Sequence, residues 1–397
     1  MENLRDTCPE NGTETLSFLL SVAIFAGYIL LSEGLSYAGI NLALTGYFTP
    51  VIALAFLIFL LFFLFFDRKI KNIDYLDFLV LFYLIYTLFV NLIGYLNLHQ
   101  VISASNLNYT FKFIALYLIF RPIDATRHKK LITFLFLSLS LIIVVKSIGN
   151  EFNFYYGTQK NVATASEYDY QGTALSYCVV YFTLLASRPT HLLSRYFYHL
   201  LCIASLAVIG SRSEFIVIFP TIFAYELLQS RIKSIFLVFV LFLGIVLIAV
   251  FFYFPHLLGD RISTITNLLN SEAKIDGSVN ERIKFSNQAL ETVSQHPLLG
   301  KFSSYKPGEY AHNILSMWVD YGLIGILLFF TILIVAIIQS ILSTLQRHDP
   351  LNSIEIPLLV FLAFILLLAK NYNYQLIPII LALIANLISK KTKYANP

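Results

Sequence analysis

What most limits the possible folds of this chain is a series of apolar runs, several of them long enough to cross a bilayer, separated by short polar connections. About 20 apolar residues in a helix span the hydrocarbon. The runs are continuous and lack the apolar/polar alternation of a barrel strand, so helices are the spanning element they permit. Of the 397 residues, 58% are apolar and 13% charged, against about 25% charged in a soluble domain. The expectation is an all-α polytopic membrane protein, with residues 1–397 as a single transmembrane domain.

Spans are expected near 14–32, 48–66, 76–96, 109–120, 131–148, 173–187, 196–210, 214–229, 235–254, 312–341, 354–369 and 376–389, about twelve in all. The fourth is short enough to be tilted or re-entrant. Every second connection is basic. Arg68, Lys69 and Lys71 follow the second span, and Arg121, Arg127, Lys129 and Lys130 the fourth. Arg188 and Arg195 follow the sixth, Arg231 and Lys233 the eighth, Arg347 the tenth, and Lys390, Lys391 and Lys393 the last. Cytoplasmic loops carry such an excess of Lys and Arg. Both termini are therefore expected in the cytoplasm. The opposite connections face outward, among them the turn at 210–214 and one large loop, 255–311. The two halves do not mirror each other in run length or Gly/Pro breaks, as the halves of many transporters do. Cys8, Cys178 and Cys202 have neither zinc nor disulfide-framework spacing.

Water-requiring chemistry in such a protein belongs where water reaches, which points to residues 278–325. Ser278-x-x-Glu281 is a capping box opening a helix. Ile283, Ala289, Leu290 and Val293 then recur at helical spacing. His296-Pro297 and Gly300 end it. This helix lies either along the outer membrane surface or against the outer ends of the bundle. Gly322-x-x-Gly325, further on, is expected to let a neighbouring helix approach closely.

Several side chains there are candidates for chemistry, each with a plainer alternative. Arg212, in the outward turn Gly210-Ser211-Arg212-Ser213-Glu214, runs against the charge bias; it either anchors a helix end by snorkelling or binds an anion, with Glu214 supporting it. Arg282 is either a solvated helix charge or a bidentate grip on phosphate oxygens. Two such arginines meeting at one place would make a diphosphate site. His312, at the water–lipid boundary, is either a simple interfacial residue or a base for a sugar hydroxyl. Asn313 would hydrogen-bond a sugar or orient the ring. Lys301, Lys306, Glu309 and Tyr310 are nearby substrate-binding candidates whose plainer role is solvated loop polarity. Asp320 and Tyr321 are expected to serve polar packing inside the bundle.

The Arg-bearing loop helix, His296-Pro-Leu-Leu-Gly300 and His312-Asn313 entering a helix with Gly322 and Gly325 together resemble the O-antigen ligase/O-antigen polymerase superfamily. Gly210-Ser211-Arg212 is similar to that family's second arginine element. Phe302 and Ser303 depart from the Gly-x-Gly that many members carry after the helix. The resemblance implies a GT-C-like glycosyltransferase architecture: about twelve transmembrane helices and a large periplasmic loop carrying short helices. It also implies a multi-pass protein of the bacterial inner membrane. The activity implied is inverting, metal- and cofactor-independent transfer from an undecaprenyl-diphosphate-linked oligosaccharide. Arg212 and Arg282 would hold the diphosphate and His312 would act on the acceptor hydroxyl. The implied partners are membrane lipid, a chain-length regulator and a flippase, with no nucleic acid. A polymerase adds the glycan to a lipid-linked repeat unit and a ligase adds it to lipid A–core. Asp169-Tyr170-Gln171-Gly172, opening span six, is closer to the polymerase subgroup. A lipid-linked oligosaccharide transporter is the alternative from another class. It would need ionisable residues near the midplane, for which Lys112 and Lys146 are the candidates.

Overall fold

The structure, a computed structural model, describes residues 12–37, 47–65, 73–98, 101–149, 170–189, 191–229, 277–302, 305, 311–345 and 354–395. These residues form twelve helices. They are α1 Gly12–Tyr37, α2 Phe48–Phe65, α3 Tyr75–Leu98, α4 Val101–Phe120, α5 Lys129–Gly149 and α6 Tyr170–Ala186. There follow α7 Leu192–Ile209, α8 Arg212–Gln229, α9 Gly277–Gln295, α10 Leu315–Leu345, α11 Glu355–Leu368 and α12 Leu376–Ala395. Five of them (α1, α2, α3, α7 and α10) are long and apolar enough to cross a membrane. The runs in α6, α11 and α12 are apolar but shorter. Eleven of the twelve expected spans coincide with helices; the other, 235–254, lies outside the described residues.

Two expectations need correction. The fourth helix is not short. It starts at Val101, so most of the expected connection 97–108 is helical. Polar residues in its first half hid it from a hydropathy reading, and Thr110 and Asn108 among them make hydrogen bonds within the bundle. Asn91 of α3 donates to Thr110 Oγ1 at 2.7 Å, and Thr110 donates to the Asn106 carbonyl at 3.2 Å. The second concerns α9, whose inward face is Phe285, Ala289 and Val293, at a spacing of four. Ile283 and Leu290 are exposed. The side chains of Ser278 and Glu281, the expected capping box, lie outside the described residues; the helix itself opens at Gly277.

Ion pairs sort the helix ends into two groups. At one end Arg121 grips Asp77 with two bonds of 2.8 Å, and Arg127 reaches Glu14 at 3.0 Å. Lys129 donates to the Arg188 carbonyl, and Arg195 pairs with Glu226 at 2.8 Å. This end gathers the starts of α1, α3, α5 and α7 with the ends of α4, α6 and α8. The opposite end holds Lys146 against Glu33 at 2.6 Å, the start of α8 and the start of α10. Charged groups buried in an apolar bundle are costly unless paired, so the pairs fix which helix ends adjoin.

α9 packs onto the start of α10. Ala289 and Val293 meet Ala311 and Val319, with Trp318 alongside. Of the two placements open for this helix, the bundle contact is the one observed. The chain then turns at His296–Gly300, and Gly300 N–H donates to the His296 carbonyl at 3.0 Å. α10 is broken at Gly322, where φ is 65° and ψ −170°, a backbone region essentially reserved for glycine. The break frees Leu323 N–H, which donates to the carbonyls of Pro297 (3.1 Å) and Leu298 (3.0 Å). Lys301 N–H donates to the Val319 carbonyl at 2.7 Å, and Trp318 Nε1 to the Pro297 carbonyl at 2.8 Å. The close approach expected at Gly322 is thus made by a loop, because a Cβ there would strike the backbone of Leu298 and Leu299. At Gly325 a helix does come near, through Tyr86 of α3. Phe302 lies over Gly94 of α3 and tilts against Tyr321, their ring centroids 6.2 Å apart.

Candidate functional site

The break in α10 locks the loop helix to the segment that carries His312. That residue lies three positions before α10 begins, in the polar connection outside the spanning helix, and is half-buried. Asn313 holds the junction. Its side-chain oxygen accepts Leu315 N–H at 3.1 Å, capping α10, and its amide nitrogen reaches Ser286 of α9 at 3.5 Å. Its amide is thereby occupied by protein contacts. Ile314 N–H donates to the Leu366 carbonyl at 3.0 Å, which brings the end of α11 beside His312.

Beyond α11 the chain runs through 369–375 to α12, and this short connection supplies Lys370. Its ammonium lies 3.2 Å from Glu214 Oε1 and 5.1 Å from the centroid of the Tyr374 ring. Glu214 is fully buried and also accepts from the Tyr374 phenol at 2.8 Å and from Ser211 Oγ. Its described partners are thus Ser211, Tyr374 and Lys370. Arg212 opens α8 two residues earlier; its side chain lies outside the described residues, so the expected Arg212–Glu214 pairing is not part of this geometry.

Burial pushes the His312 pKa down, and the positive charges of Arg282 and Lys370 push it further, to about 4. An ordinary histidine titrates near 6.5. The sign follows directly: each of the three causes penalises imidazolium, so the ring is neutral at physiological pH. It can accept a proton there, which is what a base requires.

Of the sequence-predicted residues, Arg282 and His312 are close enough to act on each other electrostatically. Glu214 joins them through Lys370. Lys301 is exposed, its backbone tied to Val319. Tyr310, Glu309 and Lys306 lie outside the described residues. Asp320 and Tyr321 take the packing role expected of them. Tyr372 donates to Asp320 at 2.7 Å, and Tyr321 donates to Asn91 at 3.2 Å. Sequence reading missed Lys370 and Tyr374. Lys370 is a lone basic residue in a short connection expected to face outward, the same charge anomaly that singled out Arg212, and that anomaly was the available signal.

The arrangement gathers cationic groups around a neutral histidine at one end of a helical bundle, a place suited to holding an anion while a proton is removed nearby. Residues 197–330 match the protein-family model described as O-antigen ligase. The match runs from α7 to the first half of α10 and includes Arg212, Glu214, Arg282 and His312. No curated protein matches the chain significantly.

Proposed function

From the premise that this is a multi-pass membrane protein of the O-antigen ligase/O-antigen polymerase superfamily, as the match over residues 197–330 supports, we propose that it is an O-antigen polymerase-type glycosyltransferase. It transfers a growing undecaprenyl-diphosphate-linked glycan onto a lipid-linked repeat unit at the periplasmic face of the bacterial inner membrane. The observation that carries this reading is His312, kept neutral beside the charges of Arg282 and Lys370. The acceptor hydroxyl attacks the anomeric carbon, its proton passes to the imidazole, and the bond from that carbon to the diphosphate oxygen breaks. Arg282 and Arg212 hold the leaving lipid diphosphate, whose charge rises as the bond breaks. A guanidinium fork suits those paired oxygens better than an ammonium does. In this reading the end of the bundle bearing Arg121, Arg127 and Arg195 is cytoplasmic and His312 is periplasmic; the excess of arginines at that end supports it.

The matching model's own description favours a second reading, in which the same chemistry delivers the glycan to lipid A–core. Loss of the protein separates the two. Single repeat units on lipid A–core indicate a missing polymerase, and long glycans stranded on the carrier lipid a missing ligase. His312→Ala tests the chemistry itself. General-base assistance is worth about 10²–10⁴ in rate, so chain elongation should all but vanish at normal protein level. Wild-type ladder lengths on a lipopolysaccharide gel from that variant would remove His312 from the mechanism.

A further inference from the structure

A cleft adjoins the site on the far side of Tyr374. Tyr83, Tyr109, Tyr321, Tyr372, Tyr374 and Lys112 line it, from α3, α4, α10 and the connection into α12. Tyr374 belongs to both places. Its phenol donates to Glu214, its ring lies beneath Lys370, and it forms part of the cleft wall.

Lys112 sits midway along α4 and is only 8% exposed, yet it lines this cleft. Its ammonium lies 5.4 Å from the ring centroid of Tyr109, one turn back toward the start of α4, the end where the site lies. Among the described residues no carboxylate forms an ion pair with it. An ammonium in a bundle interior is unfavourable unless an anion or water completes its shell, and an ionisable group in a membrane helix is a pointer to ligand or ion handling. The phenols of Tyr321, Tyr372 and Tyr374 are already donated to Asn91, Asp320 and Glu214, so the tyrosines contribute ring faces to the wall. Asn373 and Gln375, also on the wall, offer amide donors. The void has a volume of only about 20 Å³, so one cation and the amide donors match a single small acidic group of a saccharide, with the sugar ring outside it.

We propose that this cleft is a subsite for an anionic group, carboxylate or phosphate, carried by the saccharide substrate, with Lys112 as its counter-charge. The word substrate rests on the transfer reading above; the binding itself does not.

The test is a titration of the purified full-length chain in detergent with methyl β-glucuronide, methyl phosphate and methyl β-glucoside. The wild type should bind at least one of the two anions more tightly than the glucoside. Binding of the glucuronide alone assigns the site to a sugar carboxylate, and of methyl phosphate alone to a phosphate. A charge-assisted contact is worth enough that Lys112→Met should weaken that binding roughly tenfold or more, while Lys112→Arg keeps most of it. Lys112→Gln serves as second variant if Met does not fold. His312→Ala should bind the anion as the wild type does. Equal binding of all three probes, no anion binding, or anion binding unmoved by loss of the ammonium would each overturn the proposal. A wild type that binds anions but transfers no glycan would overturn the enzyme reading and leave the subsite standing.

Discussion

On the proposed reading His312 is the base, and its environment makes a directional claim about pH. With its pKa lowered to about 4 by burial, Arg282 and Lys370, the ring stays unprotonated well below the range where an ordinary histidine, near 6.5, becomes protonated. Activity limited by this base should persist on the acid side and fall as pH drops through about 4. Removing a neighbouring cation must raise the pKa. Lys370→Gln, which can still donate to Glu214, should therefore shift the acid limb of the pH–rate profile upward, and Lys370→Arg should leave it in place. A purely structural role for Lys370 would lower the rate without moving the limb. Arg212 and His312 could be picked out from sequence because each is a polar group at the mouth of an apolar run, and Arg282 because it lies on the helix of the large loop. Lys370 was harder to see. Its importance comes from Glu214, far away in the chain, and only folding makes them neighbours.

At the scale of elements, the junction between the loop helix and α10 sets the geometry of the site. Gly322 takes a conformation that side chains rarely adopt, and the carbonyl of Leu298 occupies the space a Cβ would need. Gly322→Ala should cost roughly 1–3 kcal/mol in backbone strain, with more from displacing the Pro297–Leu299 backbone. The expected result is a lower thermal midpoint and reduced transfer, since moving this loop shifts Arg282 relative to His312. An unchanged midpoint would mean that the loop is not braced at the break. The sequence made the helix ends at His296-Pro297 and Gly300 legible, because proline and glycine act locally. It did not reveal that Pro297 and its neighbour Leu298 supply hydrogen-bond acceptors to a broken helix more than twenty positions later. Nor could periodicity assign the inward face of α9. Ile283 and Leu290 are as apolar as Phe285 and Val293, and only the small Ala289 against Val319 decides which side packs.

At the scale of the molecule, hydropathy located eleven helices, because a bilayer demands long apolar runs and few other folds produce them. It misjudged α4, where Asn108 and Thr110 lower the apolar average while making hydrogen bonds inside the bundle. The alternation of basic connections anticipated that Arg121, Arg127 and Arg195 would share one end, away from His312. The whole account depends on that separation, with the paired arginines Arg121, Arg127 and Arg195 at one end and His312, with Arg282 and Lys370 near it, at the other. The most direct measurement incubates the purified protein in vesicles with an undecaprenyl-diphosphate-linked glycan and follows product mass, comparing the wild type with His312→Ala. The account predicts longer lipid-linked glycans and released undecaprenyl diphosphate from the wild type alone. Glycans that cross the vesicle membrane at unchanged length, or equal elongation by His312→Ala, would contradict it.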